Sequence, residues 1–181
     1  MNNLEIDVNL AKPSDHFQIF FGMGCFWGAE KKFWSVEGVL TTAVGYAGGH
    51  KKNPKYDDVC SGETGHAEVV RIFYNPRFTS FENLMKVFWE SHNPTQLNRQ
   101  GNDIGTQYRS IILTDKNELF PKIESSKKKY QEKLDLNSAG KIQTEIKLLE
   151  KFYLAENYHQ KYLHKNPNGY CGLGGTGIEY I

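Results

Sequence analysis

Residues 17–46 read FQIFFGMGCFWGAEKKFWSVEGVLTTAVGY and contain three consecutive secondary-structure patterns. The apolar run 17–21 predicts a short strand, because it is rich in aromatic residues and ends at a glycine. Apolar residues then recur at helical spacing over 26–36, and a glycine follows soon after. The β-branched stretch 39–46 predicts a second strand. This part of the chain therefore predicts a strand, a helix and a strand.

The downstream patterns extend this unit. Residues 67–74 alternate as a strand does, and Ser80 is a helix N-cap for a helix that runs to about residue 91. Residues 108–113 predict a further strand. The order β-α-β-β-α-β is that of the ferredoxin-like plait, in which two helices pack on one face of a mainly antiparallel sheet. The sequence therefore predicts an α+β fold, a two-layer sandwich with long coil segments.

Three further elements follow this core. Residues 115–134 predict a charged, solvent-facing helix, with Pro121 as a point of interruption. The segment 141–149 alternates and predicts an additional strand, and 155–165 predicts a short helix. The chain thus ends in elements that the six-element plait does not need.

We expect one catalytic domain over residues 1–181, since this length can bury a core and no repeat or linker divides it. Residues 1–16 predict an irregular extension, and residues 166–181 predict a glycine-rich coil tail. Two loops of about 16 residues, 50–65 and 92–107, exceed the usual connection length. Such long loops in a compact domain are more often functional than idle.

The bulk composition excludes several classes of partner. A net charge of +1 gives no sign of nucleic-acid binding. No apolar run approaches the roughly 20 residues that a membrane span needs, and residues 1–16 show no signal-peptide pattern. We therefore expect a cytoplasmic monomer that does not bind a membrane. Three cysteines cannot form an even disulfide framework, which favours catalytic thiols over structural bridges.

Cys25 is the first candidate catalytic residue. It lies in the pentapeptide GCFWG at residues 24–28, directly before the predicted helix. The positive end of that helix favours a thiolate, so the sulfur should be more reactive than that of a free cysteine. Phe26 and Trp27 follow, and they can form an apolar wall beside it. The alternative is a small buried cysteine in a tight turn, with both aromatic rings in the core.

Glu68 is the second candidate because of its position in the strand 67–74. Successive side chains point to opposite faces, so Glu68 shares a face with Val70, Ile72 and Tyr74. Desolvation on that apolar face would raise its pKa and keep a proton on the carboxyl group near neutral pH. The alternative is a glutamate at the strand edge that reaches solvent.

Tyr46, Tyr56 and Tyr108 provide neutral phenol donors in or near the predicted loops. Two phenols beside a substrate oxygen could polarise it as an oxyanion hole does. Each of them could equally be a packing residue with a solvated hydroxyl group. Asp103 lies in the segment GNDIGTQYRS, where the alternative role is that of a turn former.

The other two cysteines differ in their surroundings. Cys171 lies among glycines, and a mobile thiol is what a resolving cysteine needs to form a disulfide and present it to a reductant. The alternative is an incidental cysteine in a disordered tail. Cys60 precedes His66 by a spacing that matches no zinc motif, so we interpret it as structural and predict no metal site.

Taken together, these residues resemble the A-type peptide methionine sulfoxide reductases, over about residues 17–177. The matching blocks, in order, are GCFWG (24–28), GYAGG (45–49), NPKY (53–56), TGHAEV (64–69), GNDIGTQYRS (101–110), HQKYL (159–163) and GYCG (169–172). The resemblance implies that Cys25 attacks the sulfoxide sulfur and that Glu68 gives a proton to the departing oxygen. It also implies that Tyr56 and Tyr108 hydrogen-bond that oxygen.

The resemblance implies further roles around these residues. Phe26 and Trp27 would hold the substrate S-methyl group, and Asp103 would orient the site or the recycling partner. Cys25 would be left as a sulfenic acid, Cys171 would condense with it, and thioredoxin would reduce the disulfide. The implied substrate is the S epimer of methionine sulfoxide, free or in proteins, which implies the repair of oxidised proteins. Neither a metal nor an organic cofactor is implied.

One feature departs from the family, and two other functions compete with it. Many members carry another cysteine just after the glycine-rich tail, whereas residues 177–181 here read GIEYI, so we expect no three-thiol relay through that tail. Whether Cys60 substitutes is open. A thiol hydrolase would instead pair Cys25 with a histidine and would need no reductant; the candidate partners are His66, His92 and His159. A redox switch would use Cys25 and Cys171 without catalysis by Glu68.

Overall fold

The computed structural model describes residues 17–181, so the extension expected for residues 1–16 lies outside the described residues. The elements, in chain order, are β1 (Phe17–Gly22), α1 (Phe26–Phe33), β2 (Val39–Ala47), α2 (Tyr56–Cys60), β3 (Ala67–Tyr74), α3 (Phe81–Ser91), β4 (Arg99–Gln100), β5 (Asp103–Ile104), β6 (Ile111–Thr114), α4 (Phe120–Leu136), β7 (Glu145–Leu148), β8 (Phe152–Leu154) and α5 (Tyr162–Lys165). Among residues 17–181, no helix combines the length and the apolar character that a membrane crossing requires.

Six strands form one sheet in the order β7-β6-β1-β3-β2-β8, and β4 pairs with β5 in a separate hairpin. The pairs β6/β1, β1/β3, β3/β2 and β2/β8 are antiparallel, whereas β6/β7 is parallel. The register places Tyr46 of β2 opposite Glu68 of β3, and Phe21 of β1 opposite Val70. The fold is therefore a mixed one, as the α+β prediction expected.

The two faces of the sheet are covered differently. Helices α1, α3 and α4 pack on one face over a large aromatic and aliphatic core. Its members include Phe21, Phe33, Val70 and Phe88. The other face carries a smaller apolar cluster that is partly covered by the side chain of Phe152 from β8. The N-terminus of α1 consequently lies over the helix-covered face, where β2 and β3 run side by side.

The predicted helix start at Ser80 is confirmed, because the Ser80 hydroxyl accepts a hydrogen bond from the Asn83 amide at 3.0 Å. The prediction that Pro121 interrupts the next helix is wrong. Pro121 lies in the first turn of α4, where a missing N–H group costs no helical hydrogen bond. The helix predicted over 155–165 is broken at Lys161, whose φ of 52° is left-handed.

The strand predicted over 108–113 begins later than expected, at Ile111. The amides of Tyr108 and Arg109 close a short helical turn onto Gly105 and Thr106 instead of joining the sheet. The loops predicted over 50–65 and 92–107 contain α2 and the β4/β5 hairpin, which the sequence did not reveal. Residues 166–181 are coil, as predicted.

Candidate active site

Cys25 lies at the junction between β1 and α1, as the N-cap residue of the helix. The preceding Gly24 has a φ of +106°, and a Cβ atom there would lie 2.8 Å from the Gln100 side chain and 3.0 Å from Leu173. Only glycine tolerates both the backbone conformation and this crowding. The result is a cysteine that is 8% exposed, held between the sheet and the tail.

The electrostatic environment of Cys25 opposes the thiolate in the substrate-free protein. Burial raises the pKa of the thiol to about 12, and the carboxyl groups of Glu68 and Asp103 add to this. The backbone amides of Trp27 and Gly28 hydrogen-bond the sulfur and lower the pKa, as the helix N-terminus predicted, but burial outweighs them. Burial therefore opposes the thiolate that the helix N-terminus favours, and the sequence did not reveal how deeply the sulfur is buried.

Glu68 lies beneath this junction, on the helix-covered face of β3 that its strand parity predicted. Glu68 is only 2% exposed, which excludes the alternative of a solvated glutamate at the strand edge. One carboxyl oxygen accepts a hydrogen bond from the Phe26 amide at 3.0 Å. Burial raises the pKa of Glu68 to about 8, and the negative charge of Asp103 contributes to the increase. The carboxyl group therefore carries a proton at neutral pH.

Tyr56 and Tyr108 lie on two different loop elements that meet near Glu68. Tyr56 begins α2, and its hydroxyl group is hydrogen-bonded to the Cys60 thiol. Tyr108 ends the short turn before β6, close enough to Glu68 and Cys60 for their ionised forms to raise the pKa of its hydroxyl group. Burial raises the pKa of both phenols, so both remain neutral donors. Tyr46 differs: it is buried in β2, donates to Glu156 at 2.7 Å and packs in the core.

Phe26 lies in the core and Trp27 packs against it, and both rings are fixed by contacts from far along the chain. Phe26 is buried, with its ring centroid 5.0 Å from that of His159. Trp27 is half-buried and stacks on Tyr162 with a centroid separation of 3.8 Å and an interplanar angle of 14°. The Trp27 indole N–H also donates to His159 Nδ1 at 3.0 Å. The Trp27 ring is therefore held on one face and at its edge.

Sequence reasoning missed the residues that hold this segment in place. Glu30 is buried in α1 and accepts hydrogen bonds from Thr42 at 2.9 Å and from the Lys161 amide at 2.8 Å. The Lys161 ammonium group lies 3.1 Å from the same carboxylate. Gln160 pairs through its side-chain amide with both backbone groups of Val44, at 2.8 Å each. The helical spacing alone could have indicated that Glu30 is buried, because it lies four residues after Phe26 on the same face of the helix.

Cys171 lies close to the first turn of α1, and Cys25 and Cys171 are both free cysteines. A Cβ atom added to Gly28 would lie 2.9 Å from the Cys171 sulfur, so the glycine makes room for the tail. The neighbouring Tyr170 hydroxyl donates to Asp103 at 3.4 Å. Asp103 is half-buried in β5, and burial raises its pKa. The structure thus brings Cys171 and Asp103 to the same edge of the site.

Two of the three candidate histidines, His66 and His92, have no free ring nitrogen to act as the base of a hydrolase. Both ring nitrogens of His66 are engaged, with the Gly49 amide and the Lys51 carbonyl. Those of His92 are engaged with the Phe88 carbonyl and the Ser110 hydroxyl group. His159 Nδ1 accepts a hydrogen bond from the Trp27 indole N–H, and its Nε2 has no hydrogen-bond partner within residues 17–181.

No cluster of three metal-ligating side chains occurs in the part of the chain that the structure describes.

Comparison with known proteins shows which family the chain resembles. The family model described as "Peptide methionine sulfoxide reductase" matches residues 17–176. A curated relative from Photobacterium profundum, "Peptide methionine sulfoxide reductase MsrA", is 55% identical over 96% of this chain and 83% of its own length. The human "Mitochondrial peptide methionine sulfoxide reductase" is 60% identical over 88% of this chain and 68% of its own. The solved methionine sulfoxide reductase A of Corynebacterium diphtheriae is 43% identical, with a TM-score of 0.83, over 88% of this chain and 79% of that one.

The raised pKa of Glu68 predicts a specific pH dependence of stability. The folded protein keeps this proton up to about pH 8, whereas an exposed glutamate loses it near pH 4.5. The contribution of Glu68 to the free energy of unfolding is therefore greatest below pH 4.5 and is lost as the pH rises to about 8. Glu68→Gln cannot titrate, so the difference in unfolding free energy between wild type and this variant should decrease over that window.

Urea denaturation at several pH values measures this difference. Glu63→Gln, which removes an exposed carboxyl group from the neighbouring loop, is the matched control. Parallel profiles for wild type and Glu68→Gln would mean that the folded protein does not retain the Glu68 proton.

Proposed function

The chain belongs to the peptide methionine sulfoxide reductase family, and we propose that it reduces the S epimer of methionine sulfoxide through Cys25 as nucleophile and Glu68 as proton donor. It is thus an oxidoreductase. The observation that carries the residue assignment is the hydrogen bond from the Phe26 amide to Glu68, which fixes a buried carboxyl group beside Cys25. The substrate can be free or part of an oxidised protein, so the reaction serves protein repair.

Substrate binding uses the aromatic wall and the neutral donors. The S-methyl group packs against Phe26 and Trp27, where sulfur–aromatic contact stabilises it. The sulfoxide oxygen then accepts hydrogen bonds from the Tyr56 and Tyr108 hydroxyl groups and from protonated Glu68. Asp103, at the rim, orients the peptide part of the substrate or the recycling partner.

The chemical step transfers the oxygen from one sulfur to another. As Cys25 attacks the sulfoxide sulfur, the oxygen becomes strongly basic and takes the proton of Glu68. The thiol proton of Cys25 returns to the Glu68 carboxylate, so the acid is restored. The attack forms a bond between the Cys25 sulfur and the sulfoxide sulfur. The protonated oxygen then moves as a hydroxyl group to the Cys25 sulfur while the bond from the methionine sulfur to oxygen and the sulfur–sulfur bond both break. One thiol and one sulfoxide thereby give one sulfide and one sulfenic acid on Cys25. A thiol with a pKa of about 12 reacts only while it loses its proton, which couples its attack to Glu68.

Recycling uses the second thiol at the rim. Cys171 attacks the sulfur of the Cys25 sulfenic acid, which releases water and leaves a Cys25–Cys171 disulfide. The position of the Cys171 sulfur beside Gly28, one helical turn after Cys25, supports this pairing. Thioredoxin then reduces the disulfide and returns both thiols. Neither metal nor organic cofactor takes part in these steps, which need only protons and thiols.

We further propose that the core is the ferredoxin-like plait. In its support, four strands follow the order β6-β1-β3-β2, and each is antiparallel to its neighbours. Helix α1 connects β1 to β2, and α3 connects β3 to β6 through the hairpin. Strands β7 and β8 extend this core at its two edges.

We propose one catalytic domain that acts as a cytoplasmic monomer. Every group named in the reaction comes from one chain, so no second copy is needed to complete the site. Recycling of Cys25 through thiols requires a reducing compartment, which supports the cytoplasm.

The proposed activity is tested with resolved epimers of methionine sulfoxide and dithiothreitol. We expect the S epimer alone to be converted to methionine over many turnovers. Cys25→Ser should abolish this conversion, because a serine hydroxyl group supplies almost no anion to attack sulfur. Conversion that stops after one equivalent per protein would instead favour the redox switch, and ester or peptide cleavage without a reductant would favour the hydrolase.

Glu68→Gln keeps the shape of the side chain and removes its acidic proton. The rate with dithiothreitol should fall by about 10²–10⁴-fold, the usual contribution of general acid catalysis. Initial rates at saturating substrate measure this, with Glu63→Gln as the control that should match wild type. An unchanged rate in Glu68→Gln would assign the proton to a phenol or to water.

Cys171→Ser separates attack from recycling. In a single turnover it should still release one methionine per protein, whereas thioredoxin should support little further turnover. Dithiothreitol is small enough to reduce the sulfenic acid directly, so activity with it should partly survive. Cys60→Ser is the matched control, expected within about threefold of wild type, since a structural thiol contributes mainly to stability. Full thioredoxin-coupled activity of Cys171→Ser, or a trapped Cys25–Cys60 disulfide, would contradict the assignment.

A further inference from the structure

The coil that carries Cys171 is fixed at a point far from the site. Tyr180 is fully buried between α3 and α4. Its hydroxyl group donates to Glu82 Oε1 at 2.7 Å and lies 3.0 Å from Ser126 Oγ. Its backbone amide donates to the Glu90 carboxylate at 2.7 Å. A residue of a glycine-rich coil is thus held by ring burial and by three polar partners.

Other contacts secure the neighbouring part of the coil to the same two helices. The Tyr130 hydroxyl group in α4 lies 2.8 Å from the Thr176 hydroxyl group and donates to the Ile178 carbonyl at 3.1 Å. The Lys129 ammonium group lies 4.6 Å from the Tyr180 ring centroid and 3.2 Å from Glu82. We call residues 170–180 the C-terminal strap, and its end at Tyr180 is anchored to α3 and α4.

The other end of the C-terminal strap is attached at the active site. Tyr170 donates to Asp103, and Leu173 packs against Gly24 and Gly28, the two glycines that flank the segment from Cys25 to Trp27. The Cys171 sulfur lies between these two attachments, near Gly28. Cys171 is therefore on a short loop closed at both ends rather than on a free tail.

This inference rests on the proposed resolving role of Cys171: we propose that Tyr180 is a positioning residue for the resolving step, which holds the C-terminal strap so that Cys171 stays beside α1. In that step a sulfur–sulfur bond forms between Cys171 and the Cys25 sulfenic acid, the bond from Cys25 to oxygen breaks, and the Cys171 proton leaves with the oxygen as water. Closing the loop at Tyr180 lowers the entropy lost on reaching Cys25 and so raises the effective concentration of the thiol.

Tyr180 contacts none of the reacting groups, so the resolving step can be tested separately from the attack on the sulfoxide. Tyr180 reaches Glu82, Glu90 and Ser126, whereas the attack on the sulfoxide uses Cys25 and Glu68, which none of these contacts involves. Leu173 packs beside Gly24 and Gly28 without using Tyr180, so the cover over Cys25 should remain when only the Tyr180 anchor is lost, and the first chemical step should be retained. Loss of this anchor should slow only the second step, in which Cys171 has to find the sulfenic acid.

A single-turnover experiment without a reductant measures both steps in one sample. Samples are quenched in acid over time, methionine is quantified, and the Cys25–Cys171 disulfide is counted by mass spectrometry. Tyr180→Ala should release methionine at the wild-type rate but form the disulfide about tenfold more slowly, with a longer-lived sulfenic acid that a dimedone-type reagent traps. Tyr180→Phe keeps the buried ring and loses the hydroxyl contacts, so about a twofold slowing is expected. Leu136→Ala, at an exposed position of α4, is the matched control.

The outcomes separate the two proposals. If wild type releases methionine but forms no Cys25–Cys171 disulfide, the resolving role of Cys171 is wrong and Tyr180 has no step to support. If wild type forms the disulfide and Tyr180→Ala forms it equally fast, only the positioning role is overturned. Should Tyr180→Ala fail to fold by circular dichroism, Tyr180→Phe decides, and a wild-type rate of disulfide formation in it overturns the inference.

Discussion

The hydrogen bond between the Phe26 amide and the Glu68 carboxyl group is the contact on which the site depends. It joins the first turn of α1 to β3, an inner strand of the sheet, across 42 residues of sequence. An unpaired amide at a helix N-terminus needs a partner, and a buried carboxyl group needs a donor, so each satisfies the other. Because Cys25 directly precedes Phe26, the same bond sets the distance between the thiol and the acid.

A second layer of contacts fixes the aromatic wall against this junction. The segment around α5 contributes His159 and Tyr162 to Trp27, which lies 132 residues before His159. Glu30 and Gln160 hold that segment onto α1 and β2 by hydrogen bonds to its backbone and to Val44. The rotamer of Trp27 is therefore determined by residues that do not themselves face Cys25. Positioning of this kind limits the motion of the wall that receives the S-methyl group.

The sequence predicted those parts of the site that depend on local periodicity. The bounds of β3 follow from its alternation, and the parity of Glu68 within that strand placed it correctly on the buried face. Burial depth was not predictable in the same way, since it depends on the tail that covers Cys25. The helix N-terminus therefore suggested a thiolate, whereas Leu173 and the sheet bury the sulfur and favour the thiol. The clamp formed by Glu30 and Lys161 joins distant segments, and a left-handed Lys161 is not encoded by any local pattern.

The groups that face the proposed substrate oxygen are all neutral before the reaction. Burial raises the pKa of Cys25, of Glu68 and of both phenols, so these four groups are neutral donors, and the charge of Asp103 lies at the edge of the site. A sulfoxide oxygen already carries partial negative charge, and these neutral donors attract it. As Cys25 adds, charge grows on that oxygen inside a poorly solvated pocket, where fixed hydrogen bonds are stronger than in water. The burial that makes Cys25 a weak acid at rest therefore also strengthens the interactions that stabilise its transition state.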